Sequence, residues 1–387
     1  MSQSRNLLIM GASVRAAVGS ALRAGLQPMA ADLFADIDLQ ARCPARRLAL
    51  RRYPRGFRTL ARRLPPSPWM YTGAMENRPR LVERISQQRP LWGNDGATLR
   101  RVRCPLAVMQ ALQQAGLPFL RVTFDPHAVP TDGRWLIKPL ASGGGVHIHF
   151  WTDALSLSDP LQRYYFQEYL EGESCAGIFI GQPEGAVLLG VTRQLIGQAW
   201  LHASPFRYCG SIGPRRLDET ERSIWERLGQ VLVERFGLRG VFGVDAVVRD
   251  GVPWLVEVNP RYTSSVEVLE WATGVAALGW CEKVFDNSPL VSLGREMKDE
   301  ESPVLAKTIL FSRRQLSFPA AGPWLATLEQ LPDIWQVPMF ADIPHAGALI
   351  EANRPILTFF TRGEFLENDQ KSLQEAAQAL DHVLGNE

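Results

Sequence analysis

Apolar positions at the start of the chain follow a pattern typical of alternating strands and helices. The run NLLIM (6–10) ends at a glycine turn, VRAAVGSALRAG (14–25) has helical periodicity, and QPMAADLF (27–34) is a second apolar run. A strand, a helix and a strand in succession predict a doubly wound, Rossmann-like opening domain. The turn contains only Gly11 and lacks GxGxxG, which argues against a dinucleotide site.

The middle of the chain changes to strands and one long amphipathic helix. The segments GRWLIKPL (133–140) and YYFQEYLEGES (164–174) contain apolar strands, and Asp218 begins a helix with a capping-box pattern. Further on, GVFGVDAVV (240–248) and VPWLVEVN (252–259) are two strands joined at RDG, which is a hairpin signal. This region therefore predicts an α+β domain.

The chain becomes polar after about residue 290 and then returns to short strands. SLGREMKDEESP (292–303) is interpreted as a linker, and QKSLQEAAQALDHVL (370–384) as a closing amphipathic helix. The expected fold class is mixed α/β and α+β, with a Rossmann-like first domain, an α+β second domain and a small C-terminal α+β segment. The predicted bounds are 1–95, 96–290 and 300–387.

Composition narrows the classes of protein only slightly. The net charge is +2 and 46% of residues are apolar, as in ordinary globular proteins. Five scattered cysteines without a CxxC pair exclude a zinc ribbon and favour a reducing, cytoplasmic location. No apolar run approaches the roughly 18 residues of a membrane span, so no membrane partner is expected. His147 and His149 would share a strand face, and a structural pair is favoured over a metal site.

Residues 42–63 contain nine arginines. They allow two interpretations, a patch that binds phosphate or another polyanion, or a solvated surface in an arginine-rich chain; the second is favoured. The arginines that could share one helical face, which Pro54 interrupts, are Arg47, Arg51, Arg55, Arg58 and Arg62.

The hairpin carries the residues best suited to bind a metal. Asp245 is expected opposite Glu257 or within one register step of it, and Asn259 shares a strand face with Glu257. Like charges at such range favour a cation between them, and oxygen ligands suit Mg²⁺ or Mn²⁺. The alternative is a solvent-facing acidic pair at a sheet edge. Arg261 follows directly and could clamp phosphoryl oxygens beside the metal.

Lys138 is the only lysine in the first 282 residues, a stretch that holds 32 arginines. It ends an apolar strand just before the glycine-rich loop SGGG (142–145), whose backbone N–H groups can approach a phosphate closely. A compact ammonium fits between phosphate oxygens where a planar guanidinium does not. Alone, this lysine could also be a chance occurrence.

Taken in order, these motifs resemble the ATP-grasp superfamily of carboxylate–amine ligases over roughly residues 100–290. The resemblance implies that ATP is clamped between a small lobe at about 117–166 and a large lobe at about 167–290. It implies that Lys138 contacts the α- and β-phosphates, and that Asp245, Glu257 and Asn259 bind Mg²⁺. Arg261 would stabilise the acyl phosphate and the tetrahedral intermediate.

The resemblance assigns further residues to the nucleotide and the substrate. Glu173 would bind the ribose hydroxyls, and Arg193 is a weaker candidate for the γ-phosphate. The residues implied for the mobile lid are Ser142, Gly143, Gly144 and Gly145. Those implied for the adenine-binding hinge are Gln167, Glu168, Tyr169 and Leu170. Those expected near the acceptor substrate are Tyr262, Ser264 and Ser265. The family's early ATP-binding lysine is missing, and Arg103 is the candidate replacement.

The reaction implied is ligation of a small-molecule carboxylate to an amine through an acyl phosphate. The tail at 340–363 is similar to amino-acid ligases related to tyramine–glutamate ligase, which suggests an amino-acid-type substrate in a one-carbon cofactor pathway such as methanofuran or tetrahydromethanopterin synthesis. Two alternatives stay open: a nucleotide-binding module that does not ligate, and a polyanion-binding protein that uses residues 42–63. Nucleic acid is not the expected partner, and a homodimer is left open.

Overall fold

The computed structural model of the protein describes residues 5–152, 163–287, 303–330, 333–363 and 370–386. Four sheets organise these described residues: a parallel sheet near the N-terminus, a small antiparallel sheet, a large antiparallel sheet and a two-stranded ribbon. The predicted mixed α/β fold class is confirmed.

The first sheet is parallel, as the opening pattern predicts. Its strands lie in the order β3-β2-β1-β4, so their carboxyl ends meet at one edge. The strands are β1 (Asn6–Met10), β2 (Gln27–Asp32), β3 (Ala45–Arg47) and β4 (Trp69–Tyr71).

The small sheet has the order β5-β8-β6-β7. Its strands are β5 (Val122–Thr123), β6 (Asp132–Pro139), β7 (His149–Thr152) and β8 (Tyr164–Glu168). The strand predicted to end at Pro139 is therefore confirmed. The prediction that His147 and His149 share a strand face is wrong, because His147 has a left-handed backbone with φ of 60° and β7 begins only at His149.

The large sheet has the order β13-β12-β9-β10-β11-β14-β18-β16. Its strands are β9 (Glu173–Gln182), β10 (Gly185–Ile196), β11 (Tyr208–Gly213), β12 (Gly240–Arg249), β13 (Val252–Asn259), β14 (Val304–Phe311), β16 (Phe340–Ala341) and β18 (Pro355–Gly363). The two-stranded ribbon joins β15 (Leu316–Ser317) to β17 (Leu349–Ile350).

The predicted hairpin is β12–β13, and the C-terminal strands extend the same sheet through the pairing of β11 with β14. The domain bounds stay predictions, and the linker proposed at 292–303 lies, apart from Pro303, outside the described residues.

The helices of the described residues are α1 (Arg15–Arg23), α2 (Ile37–Gln40), α3 (Gly56–Arg63), α4 (Pro79–Ser86), α5 (Gly96–Val102), α6 (Pro105–Gln114), α7 (Glu219–Phe236), α8 (Ser264–Thr273), α9 (Ala277–Phe285), α10 (Trp324–Gln330) and α11 (Gln370–Leu384). None of them is long and apolar enough to cross a lipid bilayer. The predicted cap of α7 is confirmed, since the Asp218 side chain accepts a 2.8 Å bond from the Glu221 N–H.

The arginine-rich segment does not form one helix. It passes from β3 into a 3-10 turn at Leu50–Arg52 and then into α3. A single helical face of five arginines is therefore not present, because Pro54 separates the turn from the helix.

Helices cover both faces of the large sheet. On one face, α7 packs through Trp225 and Leu228 against Phe179 of β9. On the other face, α8 and α9 pack together with α1 of the first domain. Near the β12–β13 hairpin this second face meets the small sheet, and a cleft lies between the two.

Candidate active site

A cleft of about 350 Å³ separates the small sheet from the large sheet. Lys138 and Gln167 line it from the small sheet, and Asp245 and Glu257 line it from the hairpin. The N-terminus of α8 closes one end through Ser264. The cleft therefore collects side chains from elements that are distant in sequence.

The two hairpin carboxylates lie directly opposite each other. Asp245 pairs with Glu257 in the β12–β13 register, as predicted. The Asn259 amide donates a 2.8 Å bond to Asp245 Oδ2, and the Gln194 amide donates a 3.0 Å bond to Asp245 Oδ1. Asp245, Glu257 and Asn259 are thus brought together, and Gln194 joins them from β10.

The two carboxylates differ in their electrostatic surroundings. Burial, followed by the charge of Glu257, raises the pKa of Asp245 from 3.8 to about 6. Burial also acts to raise the pKa of Glu257, but the charges of Arg103 and Lys138 outweigh it and the pKa is lowered. Arg103 donates a hydrogen bond to Glu257 Oε1. Asp245 is therefore the carboxylate whose negative charge is least compensated.

This donor set fits a hard divalent cation. It offers two carboxylates and an amide, the oxygen ligands that Mg²⁺ prefers. A cation between Asp245 and Glu257 would relieve the repulsion that raises the pKa of Asp245. Among the described residues, no cluster of three or more His, Cys, Asp or Glu side chains has the geometry of a metal site. A metal here would therefore complete its shell with Asn259, water and phosphate oxygens.

Lys138 is buried, with 4% of its surface exposed, and its side chain reaches the cleft. Its Nζ donates a 2.9 Å bond to Gln167 Oε1 and lies 5.6 Å from the centre of the Tyr165 ring. Gln167 is itself held by a 3.1 Å bond to the Val256 carbonyl. The ammonium is thus fixed at the floor of the cleft, close to Glu257.

The loop at Ser142–Gly145 lies over the cleft and contacts the loop after β4 and the segment 206–208. Asn77 of the first domain donates a 3.2 Å bond to the Ser142 carbonyl, and the Tyr208 N–H donates a 3.3 Å bond to the Gly144 carbonyl. At Gly145, φ is 79° and an added Cβ would lie 1.7 Å from the Phe206 carbonyl oxygen. Only glycine fits there.

Residues Gln167–Leu170 line the edge of the same cleft. The Tyr169 N–H donates a 2.9 Å bond to the Arg134 carbonyl, and the Glu168 carboxylate accepts bonds from Arg121. Tyr169 is half exposed and meets the Phe150 ring edge-on, with ring centres 4.9 Å apart. The segment that the resemblance assigns to the adenine hinge therefore lies at the cleft edge, and its role in binding adenine stays a prediction.

Arg261 lies at the inner end of the cleft and is held on three sides. Its Nε donates a 2.7 Å bond to Glu76 Oε1, and its Nη2 donates a 3.1 Å bond to Asn259 Oδ1. The Tyr262 carbonyl accepts a third bond. Glu76 comes from the first domain and is 2% exposed, so a buried carboxylate orients this arginine.

Two residues implied as nucleotide ligands are not brought to the cleft. Glu173 accepts a 2.8 Å bond from Arg215, which also bonds Glu221 of α7 on the opposite face of the large sheet. Arg193 pairs in register with Cys175, which packs on that same α7 side. Strand alternation explains both cases, because each residue lies one position from one that faces the cleft. The cleft-facing residues are Ser174 and Gln194.

Of the three residues expected near the acceptor, two reach the cleft and one does not. The expectation for Tyr262 is wrong, because this residue is 4% exposed, lies in the apolar core and donates a 3.0 Å bond to Glu270. Ser264 and Ser265 do reach the cleft at the first turn of α8. Ser265 Oγ lies 2.9 Å from Ser211 Oγ of β11.

Sequence reasoning missed Glu76 and Gln194. Glu76 lies in the loop after β4, at the carboxyl edge of a parallel sheet, where ligand-binding residues concentrate. Gln194 lies next to Arg193 in β10, so its side chain points to the opposite face of the sheet, which is the face that lines the cleft. Both residues occupy positions that the sequence could have pointed to, but choosing them required knowing which sheet edge and which strand face line the cleft.

Comparison with known proteins gives a family match for part of the chain. Residues 106–265 match the family model described as "ATP-grasp domain". A curated relative, an uncharacterised protein of Methanocaldococcus jannaschii, is 24% identical over 233 residues, which are 59% of this chain and 50% of the relative. The chain thus spans about half the length of that relative.

Solved structures share the fold over nearly the whole chain. Biotin carboxylase from Campylobacter jejuni, in an ATP complex, has a TM-score of 0.70 at 14% identity and covers 97% of this chain and 91% of its own. L-amino acid ligase from Bacillus licheniformis has a TM-score of 0.67 at 16% identity, covering 98% of both chains. The biotin carboxylase domain of 2-oxoglutarate carboxylase from Hydrogenobacter thermophilus, with bound MgADP, has a TM-score of 0.68 at 12% identity, covering 93% and 86%. Residues 106–265 therefore match an ATP-grasp domain, and the chain as a whole shares the fold of these solved structures, with a parallel sheet near its N-terminus and C-terminal strands that extend the large sheet.

Proposed function

We propose that the protein is an ATP-dependent ligase that joins a carboxylate to an amine, with Mg²⁺ bound by Asp245, Glu257 and Asn259. The observation that carries the proposal is the convergence of Lys138, the hairpin carboxylates and Arg261 in one cleft. Similarity to an L-amino acid ligase and to structures with bound adenine nucleotide supports it. An amino-acid-type acceptor is the substrate class proposed.

Each group of cleft residues is proposed to bind a different part of the nucleotide. Gln167–Leu170 would hold the adenine at the cleft edge, and Lys138 would bind the α- and β-phosphates as a fixed positive charge. Arg103 is proposed to take the place of the missing early lysine, since it lies between Glu257 and the Ser142 carbonyl. The Ser142–Gly145 loop would cover the phosphates and exclude water.

The chemistry needs positioning and charge neutralisation rather than a protein nucleophile. An oxygen of the acceptor carboxylate attacks the γ-phosphorus, and ADP leaves. The amine nitrogen then attacks the acyl carbon, phosphate leaves, and the amine loses a proton. The bound metal would supply charge neutralisation at the phosphates. Arg261, held by Glu76, would stabilise the oxygens on which negative charge develops.

The test is an ADP-release screen across amino acids, amines and one-carbon cofactor precursors, followed by mass spectrometry of the product. ADP should appear only when both an acid and an amine are present. Glu257→Gln should lower activity at least a hundredfold by removing one metal carboxylate, whereas the exposed control Glu351→Gln should match the wild type. Normal turnover in Glu257→Gln would refute the metal assignment.

The same screen distinguishes the ligase from the main alternative. A nucleotide-binding module that does not ligate would bind Mg–ATP tightly and release no ADP with any acid and amine pair. That outcome would refute ligation while keeping the nucleotide site.

A further inference from the structure

Residues 42–63 contain nine arginines, of which all but Arg42 and Arg58 are exposed. The segment contains no aspartate or glutamate. Within the part of the chain that the structure describes, none of these nine guanidinium groups forms an ion pair. The whole chain carries 40 acidic against 42 basic side chains, so this local excess is not a property of the composition.

The topology divides this segment between opposite edges of the parallel sheet. Because β3 ends at Arg47, Arg51 and Arg52 follow it at the carboxyl edge. This edge faces the cleft, since Glu76 and Asn77, which follow β4 there, bond to Arg261 and to the Ser142 carbonyl. Helix α3 then runs back across the sheet for 8 residues, roughly 12 Å. Arg62 and Arg63 at its end therefore lie toward the amino edge, away from the cleft.

The first end of the segment adjoins the candidate active site. Tyr53, which directly follows Arg51 and Arg52, packs in the apolar cluster that contains Met75. Met75 precedes Glu76, the carboxylate that holds Arg261. Arg51 and Arg52 are therefore placed beside the loop that orients the proposed catalytic arginine, and both are exposed.

A second loop brings another cation to the same place. Arg78 follows Glu76 by two positions and is exposed. Burial raises the pKa of Tyr53 to about 12, and the nearby charges of Glu76, Arg78 and Arg261 also act on it. The Tyr53 hydroxyl is buried and, among the described residues, has no hydrogen-bond partner. Arg78 therefore lies near Tyr53, the residue that directly follows Arg51 and Arg52, and two loops bring arginines to this part of the carboxyl edge.

We propose that Arg51, Arg52 and Arg78 bind a second anionic group of the acceptor acid, a phosphate or carboxylate remote from the carboxylate that is activated. This inference rests on the proposed ligase function and names its substrate class, an acid with at least two negative groups. Guanidinium forks match both kinds of oxyanion. A nucleic acid would instead use the arginines at both edges, because its phosphates form a continuous chain of charge.

The test compares two variants that remove the same charge. Arg51→Ala/Arg52→Ala alters the cleft edge, and Arg62→Ala/Arg63→Ala alters the far edge; all four side chains are exposed, so folding should be kept. Sodium tripolyphosphate is titrated calorimetrically into each protein saturated with Mg–AMP-PNP and excess Mg²⁺, which blocks the nucleotide site. A fluorescent single-stranded 20-mer DNA is titrated in parallel.

The cleft-edge variant should bind tripolyphosphate at least tenfold more weakly than the wild type, and the far-edge variant within twofold of it. Both should bind Mg–AMP-PNP normally. If both variants lose affinity for tripolyphosphate equally, and DNA binds more tightly than tripolyphosphate, the proposal is overturned in favour of nucleic acid. No loss in either variant would overturn it outright.

A kinetic measurement separates this inference from the proposed function. With the acid found in the ADP-release screen, the cleft-edge variant should raise the KM for that acid at least tenfold and leave kcat and the KM for ATP nearly unchanged. If the acid carries a single negative group, or its KM does not change, the inference fails while ligation stands. If no pair of substrates releases ADP, the ligase function fails, and with it the acceptor assignment, even if tripolyphosphate binds.

Discussion

Arg261 Nε lies 2.7 Å from Glu76 Oε1, although the two residues are 185 positions apart in the chain. The pair joins the loop after β4 of the first domain to the end of the β12–β13 hairpin. Because Glu76 is buried, it holds the guanidinium in one orientation and keeps its own charge compensated. The first domain therefore contributes directly to the proposed chemistry.

Glu76→Gln should lower kcat at least tenfold while the KM for ATP changes little. The amide keeps the size of the side chain but removes the charge that orients Arg261, and Arg261 is proposed to act on the acyl phosphate. Steady-state ADP release measures both parameters. The control is Glu83→Gln, which breaks the exposed Glu83–Arg100 pair and should have little effect. An increase in the KM for ATP without a loss of kcat would contradict this role.

Lys138→Arg should weaken Mg–AMP-PNP binding at least tenfold, measured by calorimetry. The ammonium is buried and bonded to Gln167, so a larger planar guanidinium cannot take the same position without displacing its neighbours. The same change at the exposed Lys371 is the control and should leave binding unchanged. Equal affinity in both variants would mean that Lys138 does not contact the phosphates.

Gly145→Ala should impair turnover severely, whereas Gly143→Ala should be tolerated. A Cβ at Gly145 would lie 1.7 Å from the Phe206 carbonyl oxygen, and φ there is 79°. At Gly143, an added Cβ meets no atom within 4 Å. ADP release should fall at least tenfold in the first variant, because its loop cannot pack against the segment that contains Phe206. Similar activity in the two variants would show that this closed contact is not needed.

Asp245→Asn should stabilise the metal-free protein at pH 8, and the gain should shrink as the pH falls below about 6. The pKa of Asp245 is raised from 3.8 to about 6 by burial and by Glu257, so the folded state favours its protonated form. Ionising it in the folded protein costs roughly 3 kcal/mol. This cost is fully present above pH 6 and disappears as the pH falls toward the unfolded value.

Urea unfolding in excess EDTA at pH 8 and pH 5 measures this difference. When Mg²⁺ and AMP-PNP are added at pH 8 in place of EDTA, the wild type should become more stable to urea than Asp245→Asn, because only the wild type keeps both carboxylates for the metal. A stabilisation by Asp245→Asn that does not vary with pH would contradict the assigned pKa.

The sequence was a good guide wherever the information is local. The α7 cap at Asp218, the β6 strand that ends at Pro139 and the register of Asp245 with Glu257 all depend on residues within a few positions of one another. Errors appeared where one residue of register decides the face. Glu173 and Arg193 lie on the α7 side of the large sheet, and their neighbours Ser174 and Gln194 face the cleft.

By itself, the sequence determined the order of the elements, the hairpin that carries two carboxylates, and the single early lysine beside a glycine-rich loop. Periodicity, capping and turn chemistry act over short distances, so they can be read from the chain. Only the tertiary structure decided that Glu76 holds Arg261, that Tyr262 is buried, and that Arg51 and Arg62 lie at opposite edges of one sheet. These relationships arise when separate sheets pack together, and no local pattern encodes which surfaces meet.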